Sequence, residues 1–491
     1  MTQEQAMQVA LENGNKFITG SAGTGKSYLL EMLAKKFKAQ GKEIAIVAPT
    51  GISAGNCGGV TIHSYFRFFG EYDIYKQRAN YHKSKINEMY RLKVLFIEEV
   101  GMVSSQLLVQ MDDVLRWVHD KDEPFGGVKV IAFGDFFQLK PVTKGKKFPK
   151  LNMRQTRLLE DTIKTELGIG EHITLDRADE VFHKKDSFPF GKYTRLMQQS
   201  DQTLILESLL VDHPYAWQSP TWLECGFETC YLQEKFRQED GDKLITVLDS
   251  IRDSRINEDT ITLLNKMKEN KIDEELSTRL RPTNKEVNLI NLRGLSEIDE
   301  LEHTSMAKID TPYEDKNQRL EKKFFKDTLW VKELKYKVGA KIMFIMNLPG
   351  SFYNGTVGII REIKLSGIIV IEVKKDNGDL ELLYIDKEKF EKKNEREQVV
   401  LSITQYPFKL SWAISIHKSQ GLTLTNIELD LTNIFEESMG YVALSRCKTF
   451  SGIKLIGYNP LALAVNPLTV KIDPRMKKAS DKTLAKHFPQ A

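Results

Sequence analysis

The sequence predicts an α/β protein, with parallel sheets wound by helices and a small all-β unit set among them. Three observations carry this. A glycine-rich loop, "GSAGTGKS" at residues 20–27, stands between an apolar run and a helical stripe. Three further runs, "EIAIVAPT" (43–50), "KVLFIEE" (93–99) and "VKVIAFGD" (128–135), are continuously apolar, as in parallel strands covered on both faces. Residues 335–400 then turn rich in β-branched residues, with "NG" at 354–355 and "DNG" at 376–378 marking hairpins.

The chain has 491 residues, 41% hydrophobic and 28% charged, with a formal net charge of +4. That length exceeds one ordinary core and points to several domains. A mildly basic balance permits a nucleic-acid partner without requiring one. The four cysteines, Cys57, Cys225, Cys230 and Cys447, match no zinc spacing and read as plain thiols. The opening "MTQEQAMQVALENGNKFITG" has neither the apolar stretch of a secretory leader nor an arginine-rich face. No run is long enough to span a membrane. The expectation is a cytoplasmic protein, nucleoid-associated if bacterial or phage.

Taken in order, "KFIT" is a strand, Leu29, Leu33 and Phe37 form a helical stripe, and Gly41 is a stop. Strand, glycine loop, helix is the arrangement a triphosphate needs. Gly20, Ser21, Ala22, Gly23, Thr24 and Gly25, with Tyr28 at the helix start, bring backbone N–H groups onto phosphate oxygens; Lys26 reaches the terminal phosphates and Ser27 ligates Mg²⁺. The cofactors implied are a nucleoside triphosphate and Mg²⁺. The strand at 93–99 ends in two adjacent carboxylates, Glu98 and Glu99. A buried strand seldom ends in two like charges unless a cation meets them. Here one acid can hold Mg²⁺, through water, and the next can polarise an attacking water. The plainer reading is a solvated strand end. Leu107, Met111, Val114, Leu115 and Val118 then form an amphipathic helix, and ligands of such a doubly wound sheet sit at the carboxyl ends of its strands.

More motifs follow in order: "APTGISA" (48–54), "GGVTIHSYF" (58–66), "PFGGVKVIAFGDFFQLKPV" (124–142), "YLQEKFRQED" (231–240), "RPTNKEVNLIN" (281–291), "SWAISIHKSQGLTL" (411–424) and "GYVALSRCKT" (440–449). With the glycine loop and "IEEVGM", the set closely resembles superfamily 1B DNA helicases, the PIF and RecD-like group. The resemblance implies two RecA-like P-loop domains with parallel sheets and ATP in the cleft between them, an SH3-like β-barrel and a short wedge insertion. Gln138 would sense the γ-phosphate. Arg237 and Arg446 would reach in from the second domain as arginine fingers, neutralising transition-state charge. Gln3 would read adenine, with Gln5 as the competing choice. Pro49, Thr50 and His63 would lie on the first domain's DNA surface, and His417, Lys418, Ser419 and Thr423 on the second's. Locally, "FKLSWAISI" reads as one period-2 strand that aims "HKSQG" at a phosphate backbone. Phe66, Phe68 and Phe69 are candidates for base stacking or for core, with core favoured for at least one.

The expected organisation is a first RecA-like domain over 1–142, with the wedge at 68–90; an insertion of unknown role over 143–213, whose His172, His183 and His213 have no ligand spacing; a second RecA-like domain over 214–334 and 401–460; the barrel over 335–400; and a C-terminal tail over 461–491. The resemblance implies 5′-to-3′ translocation on single-stranded DNA and unwinding of duplex, with DNA junctions as partners, a monomeric state, no membrane, and replication or repair proteins nearby. Open alternatives are a translocase that remodels protein–DNA complexes, a P-loop kinase or NTPase without nucleic acid, and a DNA-binding scaffold with a vestigial site. The family carries Asp where this chain has Glu98. Glu98→Asp is therefore expected to retain ATPase activity in a steady-state assay; loss of hydrolysis would mean that the longer arm is required here.

Overall fold

The computed structural model describes residues 1–68, 78, 81–141, 215–238, 241–311, 321–322, 324–325, 328–346, 348, 352, 354–374, 379–393 and 399–489. The first lobe is built on six parallel strands, β1 (Lys16–Gly20), β2 (Ile44–Ala48), β3 (Val60–Thr61), β4 (Val94–Ile97), β5 (Lys129–Phe133) and β6 (Glu228–Leu232), in the order β3-β2-β4-β5-β1-β6. The strands are apolar throughout because both faces are covered. Phe17, Leu95, Ile97, Val130 and Ala132 point into one core, under helix α4 (Ser105–His119). Their neighbours Ile18, Val94, Phe96, Ile131 and Phe133 point into the other, with helices α1 (Gln3–Leu11) and α2 (Lys26–Ala39). Each fully buried Val, Leu, Ile or Phe stabilises by about 1.5–3 kcal/mol. A short helix α3 (Gly51–Asn56) follows β2, with Thr50 as N-cap accepting from Ser53 N.

β6 corrects the expected boundary. Residues 215–232 are not the start of the second domain: Glu228–Leu232 runs parallel to β1 as the sheet's edge strand. Tyr215, Trp217 and Cys225 are buried in the same core as Phe17 and Phe136. The crossover to the second lobe comes between Leu232 and Lys243. No local pattern marks the place, because an edge strand is assigned by its pairing partner and not by its own apolar run.

The second lobe opens with helix α5 (Lys243–Arg252), strand β7 (Thr278–Arg281) and helix α6 (Asn284–Ser296). The chain then builds the β unit: β8 (His303–Met306), β9 (Lys308–Asp310), β10 (Glu333–Tyr336), β11 (Lys341–Phe344), β12 (Val357–Ile363), β13 (Ile369–Lys374), β14 (Leu380–Ile385), β15 (Glu388–Lys393), β16 (Val399–Gln405) and β17 (Phe408–Leu410). Among the described residues these pair as an open antiparallel sheet, β14-β13-β12-β11-β17, with β15-β16-β9 and β10-β8 beside it. The unit spans 303–410, wider than the expected 335–400, and the pairings among the described residues do not by themselves close an SH3-like barrel.

"FKLSWAISI" is two strands and not one. β17 pairs with β11 of the β unit. After Ser411 and Trp412 the chain changes sheets, and β18 (Ala413–Ser415) pairs parallel with β7. The switch is held where Ala413 N donates to Asn291 Oδ1 at 2.9 Å and the Trp412 ring lies against Gly294, where any Cβ would come within 2.5 Å of the indole. β19 (Ile427–Leu431) and β20 (Ile453–Tyr458) complete a four-stranded parallel sheet, β18-β7-β19-β20, with helix α7 (Met439–Leu444).

The expected C-terminal tail is a helix, α8 (Pro467–His487), which returns to the first lobe. Its Ser480 Oγ accepts from Tyr231 N at 2.9 Å, and its Leu468, Ile472 and Met476 pack on the first core. The lysine-rich face is solvated, while the small and apolar residues bind. Residues 69–77, 79–80 and 143–214, which include part of the wedge, the insertion, Phe69 and the three histidines, lie outside the described residues. Phe66 and Phe68 are both buried and stacked, their centroids 5.5 Å apart, so both belong to the core. The cysteines are free thiols. No helix among the described residues is long and apolar enough to cross a membrane.

The end of α8 is tethered to β6 through Glu228, which accepts from the buried Lys16, from Lys486 and, at 3.2 Å, from His487 Nε2. Burial alone would raise this carboxyl; the bonds from Lys16 and Lys486 outweigh it and hold it down to about 2. A depressed carboxyl contributes stability above its unfolded value, lost as pH falls through the folded one. Glu228→Gln should therefore cost about 1–3 kcal/mol at pH 7. In thermal melts the gap between wild type and variant should close as pH drops from about 4.5 toward about 2. A gap independent of pH would show that the tether contributes only packing.

Candidate nucleotide and nucleic-acid site

Three strand ends of the first sheet converge. The glycine loop follows β1, Glu98 and Glu99 follow β4, and Asp135 and Gln138 follow β5, which lies between them. Gly25 adopts a left-handed φ of 74° as the N-cap of α2, and a Cβ there would strike Gln3 Nε2. Gly23, at φ 88°, leaves room for Arg237 Cβ, which a Cβ would meet at 2.7 Å. These two glycines let other chain segments close onto the loop. Ser21 O, within the loop, accepts from Thr24 Oγ1 at 3.0 Å, and Ala22 N faces the Tyr441 hydroxyl at 3.4 Å.

Lys26 Nζ donates to Gly20 O and Ser21 O, both at 2.9 Å. Burial lowers its pKa, while the nearby Asp135 and Glu99 act the other way. Ser27 Oγ donates to Glu98 Oε1 at 2.8 Å, and the other carboxylate oxygen, Glu98 Oε2, is buried with no partner. That pair suits Mg²⁺: a hydroxyl and a carboxylate side by side, with an oxygen left over and too few protein ligands for an all-protein cage, so phosphate oxygens and water would complete the octahedron. Burial, then the neighbouring Glu99, raises Glu98 to about 7. Glu99 sits at φ 51°, ψ 45°, left-handed for a non-glycine residue. Such strain costs on the order of 1–3 kcal/mol and persists where the surroundings enforce it. Its pKa is raised by burial, against the pull of Lys26, Arg446 and Arg237.

Both predicted arginines face this crevice. Arg446 is fully buried at the end of α7, anchored by Nε to Val442 O at 2.9 Å, and its charge is felt by Glu99. Arg237 donates to Ser445 O at 2.7 Å. Burial, and then repulsion from Arg446, lowers it to about 9. One correction applies: Arg237 does not come from the second domain but from the crossover, since β6 ends at Leu232 and α5 starts at Lys243. Gln138 is buried, and Gln420 Nε2 donates to its Oε1 at 3.4 Å, joining the nucleotide side to the "HKSQG" loop. Gln3 reaches the loop, donating to Thr24 O at 3.1 Å and Gly25 O at 3.3 Å, whereas Gln5 is spent in the capping box of α1. Tyr28 and Phe236 are both 60% exposed at this edge, and Phe236 N donates to Gly23 O. Phe236 was legible only as an aromatic beside Arg237.

On the candidate nucleic-acid side the structure brings three chain regions together. Asn56, ending α3, bonds to Asn354 of the "NG" hairpin at 2.7 Å, and Gly421 of the "HKSQG" loop lies against the same Asn56 side chain. Pro49 and Thr50 are half-buried beside them and His63 is exposed. His417, Lys418 and Thr423 are half-buried, but Ser419 is fully buried, donating to Ile416 O at 2.8 Å. Ser419 thus shapes the loop and does not face a ligand. Missed in the sequence were Phe435, 58% exposed and stacked on His417, and Lys409. Burial and Lys418 together bring Lys409 down to about 7, and no carboxylate among the described residues pairs with either lysine. The separation of 408–410 from 413–416 hid Lys409, because alternation assigned it to the wrong sheet.

Comparison with known proteins agrees with this arrangement. The sequence pattern of the PIF1-like helicases matches residues 3–188. The ATP-dependent DNA helicase Pif1 of Psychrobacter is 29% identical over 98% of this chain and 71% of its own length. The Bacteroides Pif1 in complex with ADP-AlF4 superposes with a TM-score of 0.70 at 27% identity, over 97% of this chain and 96% of that one. The chain is similar to the PIF1-like helicases along nearly its whole length. Bacteroides Pif1 bound to single-stranded DNA covers 98% of this chain at 28% identity with a TM-score of 0.59, lower than for the ADP-AlF4 complex.

If Glu99 orients the attacking water, Glu99→Gln should bind a fluorescent ATP analogue about as tightly as wild type while kcat falls by roughly 10²- to 10⁴-fold. Substantial single-turnover hydrolysis by that variant would remove Glu99 from the role.

Proposed function

We propose that this protein is an ATP- and Mg²⁺-dependent DNA helicase that moves 5′ to 3′ on single-stranded DNA and opens duplex ahead of it. The observation that carries the reading is the crevice itself. Lys26, Arg237 and Arg446 crowd toward Glu98 and Glu99 from the glycine loop, the crossover and the second lobe. Cations held this closely lack a polyanion to balance them, and a triphosphate supplies it. Ser27 and Glu98 would hold Mg²⁺, which neutralises charge on the β- and γ-oxygens when bound. Glu99 would orient the attacking water, Gln138 would respond to the γ-phosphate, the two arginines would stabilise the transition state, and Gln3 would read adenine.

Hydrolysis becomes movement because one buried contact, Gln138–Gln420, links that site to the loop carrying His417 and Lys418. Closing or opening the crevice shifts this loop against Pro49, Thr50 and His63 on the other lobe. Lys409 and Lys418, two ammonium groups held near each other, would receive a backbone phosphate, and Phe435 with His417 offers a base a stacking face. The relatives' structures with single-stranded and forked DNA support this assignment of partners. Direction is taken from the family.

The test is ATPase with and without single-stranded DNA, beside unwinding of duplexes with a 5′ or a 3′ tail. Opening of the 5′-tailed duplex alone, with DNA-stimulated hydrolysis, is expected. Stimulation without strand separation would leave a translocase that remodels protein–DNA complexes, and hydrolysis indifferent to DNA would leave a P-loop NTPase.

A further inference from the structure

One buried ion-pair network in the cleft has no part in the chemistry described above. Asp135, at the end of β5, is wholly buried and takes two hydrogen bonds from Arg252 Nη1, at 2.8 and 3.0 Å. Asp135 belongs to the first lobe and Arg252, the last residue of α5, to the second. The guanidinium lies 3.8 Å over the Phe137 ring and also reaches the Tyr441 hydroxyl at 3.2 Å. Through Nη2 it meets Tyr231 of β6 at 3.0 Å and Asp473 of α8 at 3.4 Å. Tyr231 and Asp473 are themselves bonded at 2.8 Å. Arg252 Nε is buried without an acceptor. A core designed for stability alone would gain from apolar residues here.

The placement has an electrostatic consequence. Asp135 is close enough to Lys26 to hold its charge, and Arg252 is close enough to oppose that hold. An unpaired Asp135 would compete with the triphosphate for Lys26 and repel the γ-phosphate. Helix α8 also touches the loop that carries Asp135 and Gln138: Thr469 Oγ1 donates to Phe136 O at 3.4 Å. The C-terminal helix therefore bears on both ends of the network.

We propose that Arg252 is a positioning residue for nucleotide turnover: it pairs with Asp135 across the lobe boundary, so that Asp135 does not compete with the triphosphate for Lys26, and, through Asp473, it makes the C-terminal helix a brace for the γ-phosphate-sensing loop. This rests on the reading of the crevice as an ATP site. If wild type binds no nucleotide, that reading fails; if wild type binds and the variants below behave like it, only the present inference fails.

The full-length chain is tested as Arg252→Met, Arg252→Met with Asp135→Asn, Arg252→Lys and Asp473→Asn, with Kd for a fluorescent ATP analogue, KM and kcat, with and without single-stranded DNA. Arg252→Met should weaken analogue binding tenfold or more. Adding Asp135→Asn should bring Kd back to within about threefold of wild type, because both halves of the pair are then neutral, while DNA stimulation of kcat stays lost. Asp473→Asn should leave Kd unchanged and lower the DNA-stimulated kcat severalfold. Where Arg252→Met does not fold, Arg252→Lys keeps the charge without the fork; it should retain Kd and lose DNA stimulation. The proposal is overturned if analogue binding by folded Arg252→Met is within twofold of wild type, if the double variant binds no better than the single, or if Arg252→Lys or Asp473→Asn stimulates like wild type.

Discussion

The structure depends on a charge imbalance enclosed between two lobes. Lys26, Arg237, Arg252 and Arg446 converge with Glu98, Glu99 and Asp135 in a space largely closed to water. Only Asp135 and Arg252 form a complete two-point pair. Lys26, Arg237 and Arg446 donate to backbone carbonyls instead, and burial pulls all three toward their neutral forms. Burying unpaired charge is costly. On the proposed function, a Mg²⁺-triphosphate would relieve that cost on every wall at once, and its binding would then be coupled to how the lobes sit.

The fold supplies the walls by simple means. Strand alternation sends successive apolar side chains of the first sheet into two separate cores. This fixes β1, β4 and β5 side by side and leaves their polar ends no option but a common edge. The second lobe repeats the scheme with four strands, and its α7 delivers Arg446 and Tyr441 to the same edge. The β unit grows out between β7 and β18, and its hairpin tip meets α3 of the first lobe at Asn56. Ile52 of that helix packs with Trp330, Leu401 and Ile403 of the β unit. The surface proposed for DNA is thus bordered by three parts of the chain.

Local signals were clear where one short segment carried both structure and chemistry. The loop at 20–27, the paired glutamates at a strand end and the amphipathic stripe of α4 each combine a period with a polar terminus, and all three stand where they were read. Signals failed where a segment's role depends on a distant partner. β6 looks like any apolar run until β1 pairs with it. Phe408–Ile416 alternates without a break, yet a tryptophan seated on a helix glycine divides it between two sheets. Ser419 sits in a polar loop but turns inward to hold that loop's shape. The end of the chain reads as a charged tail because its contacts, Tyr231 and Phe136, lie far away in sequence.

Sequence by itself named the candidates for the site: residues to cradle phosphate, to hold Mg²⁺ and to polarise water, since those choices follow from residue type and spacing over a few positions. It also determined the α/β class, because hydrophobic period is a local property. Only the tertiary structure decided which lobe each residue serves, that Arg237 belongs to the crossover, that Phe66 and Phe68 are core, and that Arg252 and Asp473 join the network. Burial and long-range ion pairing are properties of packed surfaces, and they take shape only when segments hundreds of residues apart are brought within a few ångströms.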